Sequence, residues 1–326
     1  MSTLADTWQL IRRRDGLETL AEHVERRYAV SVARSARLDV GVYRFDLADG
    51  RRWVVRIFPA ARPLERAEGD ADILRFLEEQ QVPAERRAHA EPVSTHEGQA
   101  VLVTEWVAGT PVSHATEQTF RTLGALLGQL HALPEAPGRA ARPGGAIHSF
   151  VLGEGSLRDE VSEALTWLAD AGVRAEDQDT NARLVERVTH LDFGDALPQA
   201  LTHPDLVFAN LLATGDGHLV LIDWTGAGRA PRAHALAFLL LTAVRESRWN
   251  PKSPNVDAVL DGYREHVRLT DDECAAIATG MPLHVLVRDI AAYCMGRMKF
   301  EEVAGGYAAI SRMAMAMASK VADAFR

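Results

Sequence analysis

The sequence predicts an α+β chain of two lobes, a small antiparallel sheet followed by a larger, mostly helical part. Three observations carry this expectation. The chain has 326 residues, more than one compact core usually holds. Strand-period patterning is confined to the stretch before Gly109, whereas helix-period patterning fills nearly everything after Pro111. With 47% hydrophobic and 25% charged residues, the composition is that of an ordinary globular protein able to fill a core in each lobe.

Taken in order, Asp15 to Tyr28 sets Leu17, Leu20, Ala21, Val24 and Tyr28 at helical spacing, with Asp15 and Glu18 placed as a capping pair. From Tyr28 to Phe58 the period shortens. Val40 to Leu47 alternates, Asp49-Gly50 marks a tight hairpin turn, and Trp53 to Phe58 is a strand. Pro63 to Gln80 returns to helical period, and Val101 to Val107 is another apolar strand. Phe120, Leu123, Leu127 and Leu130 then form one helical stripe and Val161 to Ala169 a second, while Ala233 to Val244, Pro282 to Met298 and Ala308 to Phe325 complete a helical second half. Pro134 to Gly145, with Pro134, Pro137, Gly138, Pro143, Gly144 and Gly145, reads as a loop between helices. Trp106 to Gly109 is the linker, so residues 1–107 form the first lobe and 108–326 the second.

The 36 basic and 45 acidic residues leave a net charge of −9, which argues against nucleic acid or an anionic membrane as partner. No apolar stretch reaches the length of a membrane span, and Met1 to Arg14 lacks the apolar centre of a signal peptide, so a cytoplasmic protein is expected. Between Val151 and Ala200 lie 11 acids against four arginines, seven of the nine net negative charges. Such a segment reads first as a solvated helical face and second as an attraction for a cationic substrate. Cys274 and Cys294 are too few for a disulfide scaffold and wrongly spaced for zinc; both read as buried small apolar residues.

The chemistry concentrates in one run. His203, Pro204 and Asp205 are followed by Asn210, and then by Ile222, Asp223 and Trp224. Phosphoryl transfer needs a carboxylate near the attacking hydroxyl and oxygen ligands that hold magnesium against nucleotide phosphates. Asp205 supplies the first; the Asn210 amide and the Asp223 carboxylate supply the second. Leu219 to Ile222, with Gly215 and Gly217 ahead of it, is an apolar run suited to a hairpin strand that delivers Asp223 opposite the loop holding Asn210.

On the nucleotide side, Arg56 sits among Val54, Val55 and Ile57, a cation inside an apolar strand that needs an anionic partner. Asp70 shares a helix face with Ile73, Leu74 and Leu77 and so points inward, whereas Glu68 aligns with Asp72 and Arg75 on the wet side. The expected pair is therefore Arg56 with Asp70, with Arg56 reaching the nucleotide phosphates. Thr104-Glu105-Trp106-Val107 ends a strand just before Gly109, where exposed backbone groups can meet the adenine edge.

These residues resemble the aminoglycoside phosphotransferase family, the small-molecule branch of the protein-kinase-like fold. The resemblance covers most of the chain: Trp53 to Phe58 as the phosphate-contacting strand, Thr104 to Gly109 as the hinge, Leu123 to Pro134 as the following helix, then His203 to Asn210 and Ile222 to Trp224. It implies two lobes with ATP in the cleft, Asp205 as catalytic base, Asn210 and Asp223 as magnesium ligands, the Glu105 carbonyl and Val107 amide facing adenine, and His203 bracing the loop. The sequence departs from the family pattern at Arg56 for the commoner Lys, at Pro204 for Gly, at Asp70 for Glu, and at Ala235 for a supporting carboxylate.

Asp192-Phe193-Gly194 spells a magnesium-binding triplet of protein kinases but precedes the catalytic run, so it reads as a turn. Asp192, Asp195 and Arg232 are candidate substrate contacts. Arg229 reads as a surface or interlobe residue, His131 as a helix-end histidine, and Met313, Met315 and Met317 as core filling. The expected activity is ATP- and magnesium-dependent phosphorylation of a hydroxyl on a small molecule, such as an aminoglycoside or other antibiotic. A metabolite kinase of homoserine, choline or sugar type and a nucleotide-binding pseudokinase acting as a regulatory module are the alternatives. GTP in place of ATP, and the oligomeric state, stay open.

Overall fold

A computed structural model describes residues 13–112, 116–144, 156–215 and 218–326. The first twelve residues, Gly145, Gly217 and the start of the acidic segment at 151–155, all used above, lie outside the described residues.

Helix α1 (Leu20–Tyr28) follows a short turn of helix at Leu17–Thr19. The capping pair expected at Asp15 and Glu18 does not form: no side chain caps this start, and the Asp15 N–H is instead given to Gln99 Oε1 at 3.1 Å. Strands β1 (Val32–Asp39), β2 (Val42–Leu47) and β3 (Arg52–Ile57) come next, then helix α2 (Leu64–Glu79), β4 (Val93–His96) and β5 (Gln99–Glu105). The five strands form one antiparallel sheet in the order β1-β2-β3-β5-β4. Asp49-Gly50 is the β2–β3 turn, with Gly50 at φ 87, a left-handed angle that a side chain disfavours.

Alternation along β3 splits its side chains between two faces. Trp53, Val55 and Ile57 join Phe45, Leu47, Val101 and Val103 under α1, whereas Phe58 and Leu102 pack with α2. Arg56 belongs to the second face, between the sheet and the rest of the molecule.

Strand β6 (Gly109–Pro111) leads into helix α3 (Glu117–His131), and α4 (Leu157–Ala171) and α5 (Gln178–Thr189) carry the acidic segment. Strands β7 (Gln199–Thr202), β8 (Leu211–Thr214), β9 (Leu219–Leu221) and β10 (Gly228–Pro231) follow, then α6 (Arg232–Glu246), α7 (Pro254–Tyr263), α8 (Asp271–Cys294) and α9 (Phe300–Phe325). Strands β6, β8 and β9 make a small sheet, and β7 pairs with β10. These two ribbons bracket the run from His203 to Asn210 between β7 and β8 and Asp223 between β9 and β10.

One apolar core runs from α2 through α3, α6, α7, α8 and α9, and a second holds α4 and α5 against α8 and α9. The loop expected at Pro134 to Gly145 contains a turn of helix at Gly138–Ala141 and returns to the sheet-bearing part. Its Gly144 meets Gly228 so closely that a Cβ on either would lie within 2.5 Å of the other's backbone. Glycine at both positions is what allows the approach.

Helix α8 departs from one expectation. It is 24 residues long and by length and composition could cross a membrane, but 72% of its apolar window is buried inside the protein. Pro282 within it removes one helical hydrogen bond without ending the helix. Of the three methionines on α9, Met317 is fully buried, Met313 packs on the core and Met315 is 66% exposed, because residues two apart do not share a helix face.

Candidate active site

The candidate catalytic run is held by backbone and imidazole. The buried His203 accepts the Asp205 N–H at Nδ1 (3.1 Å) and therefore carries its proton on Nε2, which donates to the Ile222 carbonyl at 3.0 Å. Burial lowers its pKa, outweighing Asp223, the Ile222 carbonyl, Asp205 and Glu85. A neutral ring thus bridges the loop carrying Asp205 to the residue preceding Asp223, and Trp224 packs edge-on against it at 4.8 Å.

Asn210 donates through Nδ2 to the Asp205 carbonyl (2.9 Å) and to Asp205 Oδ2 (3.2 Å). Committing the nitrogen leaves the amide oxygen as the ligand atom. The Asn210 carbonyl accepts the Ile222 N–H at 2.9 Å, which fixes the chain just ahead of Asp223. Asp223 itself has φ 64, a conformation rare for a non-glycine residue, and its side chain is 44% exposed. Asp205, Asn210 and Asp223 are therefore brought together, as the spacing predicted.

Arg56 is buried as predicted, but its partner is different. Glu85, on the segment between α2 and β4, receives Arg56 Nη1 at 3.0 Å and Nη2 at 3.2 Å, a bidentate pair between groups 7% and 3% exposed. Burial opposes the guanidinium charge, and Glu85 and Asp223 outweigh it, so the Arg56 pKa is raised. Thr104 joins the pair, its hydroxyl donating to Glu85 Oε2 at 2.9 Å and accepting from Arg56 at 3.0 Å. Arg56 Nε also lies 3.6 Å from Asp223 Oδ1.

The expected Arg56–Asp70 pair does not form. Asp70 faces inward as its helix position requires, but its carboxylate is taken by Arg62 (2.7 Å), by Arg142 (2.5 Å) from the returning loop, and by the Gly226 N–H (3.2 Å). Helical spacing gave the direction of Asp70 correctly and could not say which cation would arrive. Glu85 was missed because Val82 to Arg87 has no period, and an acid beside two arginines reads as solvated.

The other candidates fall as follows. At the strand end, the Glu105 N–H donates to the Arg86 carbonyl at 2.8 Å and the Trp106 N–H to the Arg52 carbonyl at 2.9 Å, so Glu105 and Val107 flank a pinned linker. Asp192 accepts the Gly194 N–H at 2.8 Å, the turn expected of that triplet, and Asp195 pairs with Arg158 at 2.6 Å. Arg232 donates to Glu273 (2.5 and 2.9 Å) and to the Arg268 carbonyl (3.0 Å), so its fork is engaged within the protein. Arg229 pairs with Glu135 at the surface. His131 ends α3, shares a hydrogen bond between its Nδ1 and the Tyr263 hydroxyl at 2.8 Å, and is lowered to about 3 by burial. Ala235, where a carboxylate was missed, is packed in the core.

Among the described residues no group of three or more His, Cys, Asp and Glu could hold a metal. One carboxylate and one amide oxygen facing a bound nucleotide are instead the donor set that magnesium takes when phosphates complete its shell.

A small antiparallel sheet over a helical lobe, with an acid-and-amide loop facing a second acid, defines a kinase-like phosphotransferase. Residues 33–271 match the model of the phosphotransferase enzyme family, and the chain belongs to that family, whose members transfer phosphate to hydroxyl groups of small molecules. No curated protein sequence matches. Similar solved structures include an aminoglycoside phosphotransferase from Alicyclobacillus acidocaldarius, with 17% identity, TM-score 0.58, and 90% of this chain and 92% of that one covered. The amicoumacin kinase hAmiN, in complex with AMP-PNP, Ca2+ and Ami, has 17% identity and TM-score 0.61, with 94% of each chain covered. The choline kinase LicA from Streptococcus pneumoniae has 15% identity and TM-score 0.56, with 92% and 98% covered.

Proposed function

We propose that the protein phosphorylates a hydroxyl of a small, cationic molecule, using ATP and magnesium, in the cytoplasm. The observation that carries this reading is the tie between Asn210 and Asp205, which sets an amide oxygen and a carboxylate on one loop while the Asn210 backbone positions Asp223.

In this reading Asp205 orients the acceptor hydroxyl for in-line attack and takes its proton. Asn210 and Asp223 hold magnesium, which when bound offsets the charge of the terminal phosphates. Arg56 contacts those phosphates, and the Glu105 carbonyl with the Val107 amide meets the adenine edge; guanine is the alternative base. The lobes divide at 107/108, with the nucleotide between them. For the acceptor, the acid excess on α4 favours a cation, α5 being balanced with Asp179 and Glu186 against Arg183 and Arg187. An aminoglycoside or other antibiotic and an amino alcohol both satisfy it, in keeping with the names of the similar structures.

The test is substitution with a coupled ADP assay. Asp205→Ala lowers turnover by roughly a hundredfold to ten-thousandfold, the range for a positioned general base, and near-normal turnover refutes its role. Asp223→Ala abolishes metal-dependent activity, and activity that survives across a magnesium titration refutes the ligand assignment.

A further inference from the structure

We infer that Glu85 is a positioning residue whose task is to limit the claim of Arg56 on Asp223, by holding both terminal guanidinium nitrogens so that only Nε approaches the carboxylate that would meet the divalent cation. The inference rests on the site reading above and adds a component that neither the motif nor the helix acid supplies.

Two carboxylates compete for one buried guanidinium. Glu85 holds both terminal nitrogens of Arg56, at 3.0 and 3.2 Å, whereas Asp223 Oδ1 stands 3.6 Å from Nε. Glu85 Oε1 also accepts the Asp223 N–H at 2.8 Å and the Trp224 N–H at 3.4 Å. One side chain therefore fixes both the cation that meets phosphate and the backbone of the metal ligand at its left-handed φ.

The backbone of Glu85 is tied to the same strand. Its N–H donates to the Leu221 carbonyl (3.2 Å), and the Leu221 N–H donates to the Pro83 carbonyl (3.0 Å). Segment 83–85 thus lies beside β9, which delivers Asp223, while Thr104 anchors the carboxylate to β5. Glu85 occupies the junction of three chain segments and registers one against another.

Removing its charge has a directed consequence. The nearest remaining carboxylate to Arg56 is then Asp223, which is 44% exposed, but the guanidinium is buried and has lost its other charge partner. Arg56 closes on Asp223, and the metal ligand is consumed by an internal ion pair. Nucleotide binding without metal keeps its remaining contacts; the metal-dependent part is lost.

The experiment measures AMP-PNP binding by calorimetry, with magnesium and with EDTA, for the full-length wild type, Glu85→Gln and Thr104→Val. Glu85→Gln is expected to weaken magnesium-dependent binding at least tenfold while metal-free binding moves less than threefold. Thr104→Val, which keeps the side-chain shape and leaves the Arg56–Glu85 charges in place while removing the hydroxyl between them, shifts the magnesium-dependent value in the same direction by about threefold, and Thr104→Ser recovers most of that loss. If Glu85→Gln does not fold, the Thr104 pair decides. Wild type that binds magnesium nucleotide while the folded variants lose no affinity, or lose it equally with and without metal, overturns the role of Glu85 alone. Wild type that binds no nucleotide overturns the kinase reading beneath it.

Discussion

Arg232→Met separates a substrate contact from a structural tie. Glu273 is fully buried at the third position of α8, where its carboxylate accepts Arg232 twice and returns to the Thr270 N–H at 2.9 Å in a capping box. Removing Arg232 strands that charge, a change that costs about 3–5 kcal/mol in a buried pair. The remaining Thr270 hydrogen bond and the helix N-terminus favour an anion and place the loss at the lower end, about 3 kcal/mol. Replacing both residues, as Arg232→Met with Glu273→Leu, removes the stranded charge and leaves mainly the lost cap, about 1 kcal/mol. Urea denaturation of the two variants reads this difference of about 2 kcal/mol, and steady-state kinetics on the same samples reads the acceptor KM. A loss below about 1 kcal/mol in the single variant, or a raised acceptor KM in both, refutes the structural role and restores Arg232 as a substrate contact.

Glu160 is buried on α4 with neither oxygen hydrogen-bonded, and burial, with Glu163 and Asp159, raises its pKa well above the ordinary value. A raised carboxyl favours folding only while protonated, so its contribution is lost as pH rises above the usual carboxyl range. Glu160→Met should raise the melting temperature more at pH 8 than at pH 5, and an equal shift at both counts against the assignment. Burial lowers His131 and His284 to about 3 and His234 to about 4. These rings fold neutral, so the unfolded chain binds more protons below the ordinary histidine pKa, and stability falls as pH drops from about 6.5 toward 4. Burial also raises the Glu163 carboxyl to about 7, which acts in the opposite sense in this window, so in a Glu160→Met, Glu163→Gln background the three together should cost about 4 kcal/mol between pH 7.5 and 5.5, at about 1.4 kcal/mol each; denaturation curves that superimpose at the two pH values would contradict this. Arg56→Met should destabilise by about 3 kcal/mol by stranding Glu85 and should also weaken nucleotide binding, whereas loss of stability alone would remove Arg56 from the phosphate site.

The proximity of Asp205, Asn210 and the segment leading to Asp223 was legible because their spacing is local: a loop, a short strand and two carboxylates follow one another within about twenty residues. The lobes were legible from the change in period at Gly109. The partner of Arg56 was not, because a buried ion pair is made by chain segments that pack together, and nothing in Val82 to Arg87 marks Glu85 as buried. Asp70 illustrates the converse. Helical period put its side chain inside, and the choice among Arg56, Arg62 and Arg142 was made by a loop returning from beyond α3. The length of α8 was hidden by Pro282 and by the acids at its start, which broke the apolar run without breaking the helix.

The most direct measurement is mass spectrometry of hydroxyl-bearing acceptors, among them aminoglycosides, other antibiotics, amino alcohols and sugars, after incubation with ATP and magnesium. The account predicts a phosphorylated acceptor with the wild type and at least a hundredfold less with Asp205→Asn. ADP released with no acceptor modified, or equal phosphorylation by the folded variant, would contradict it.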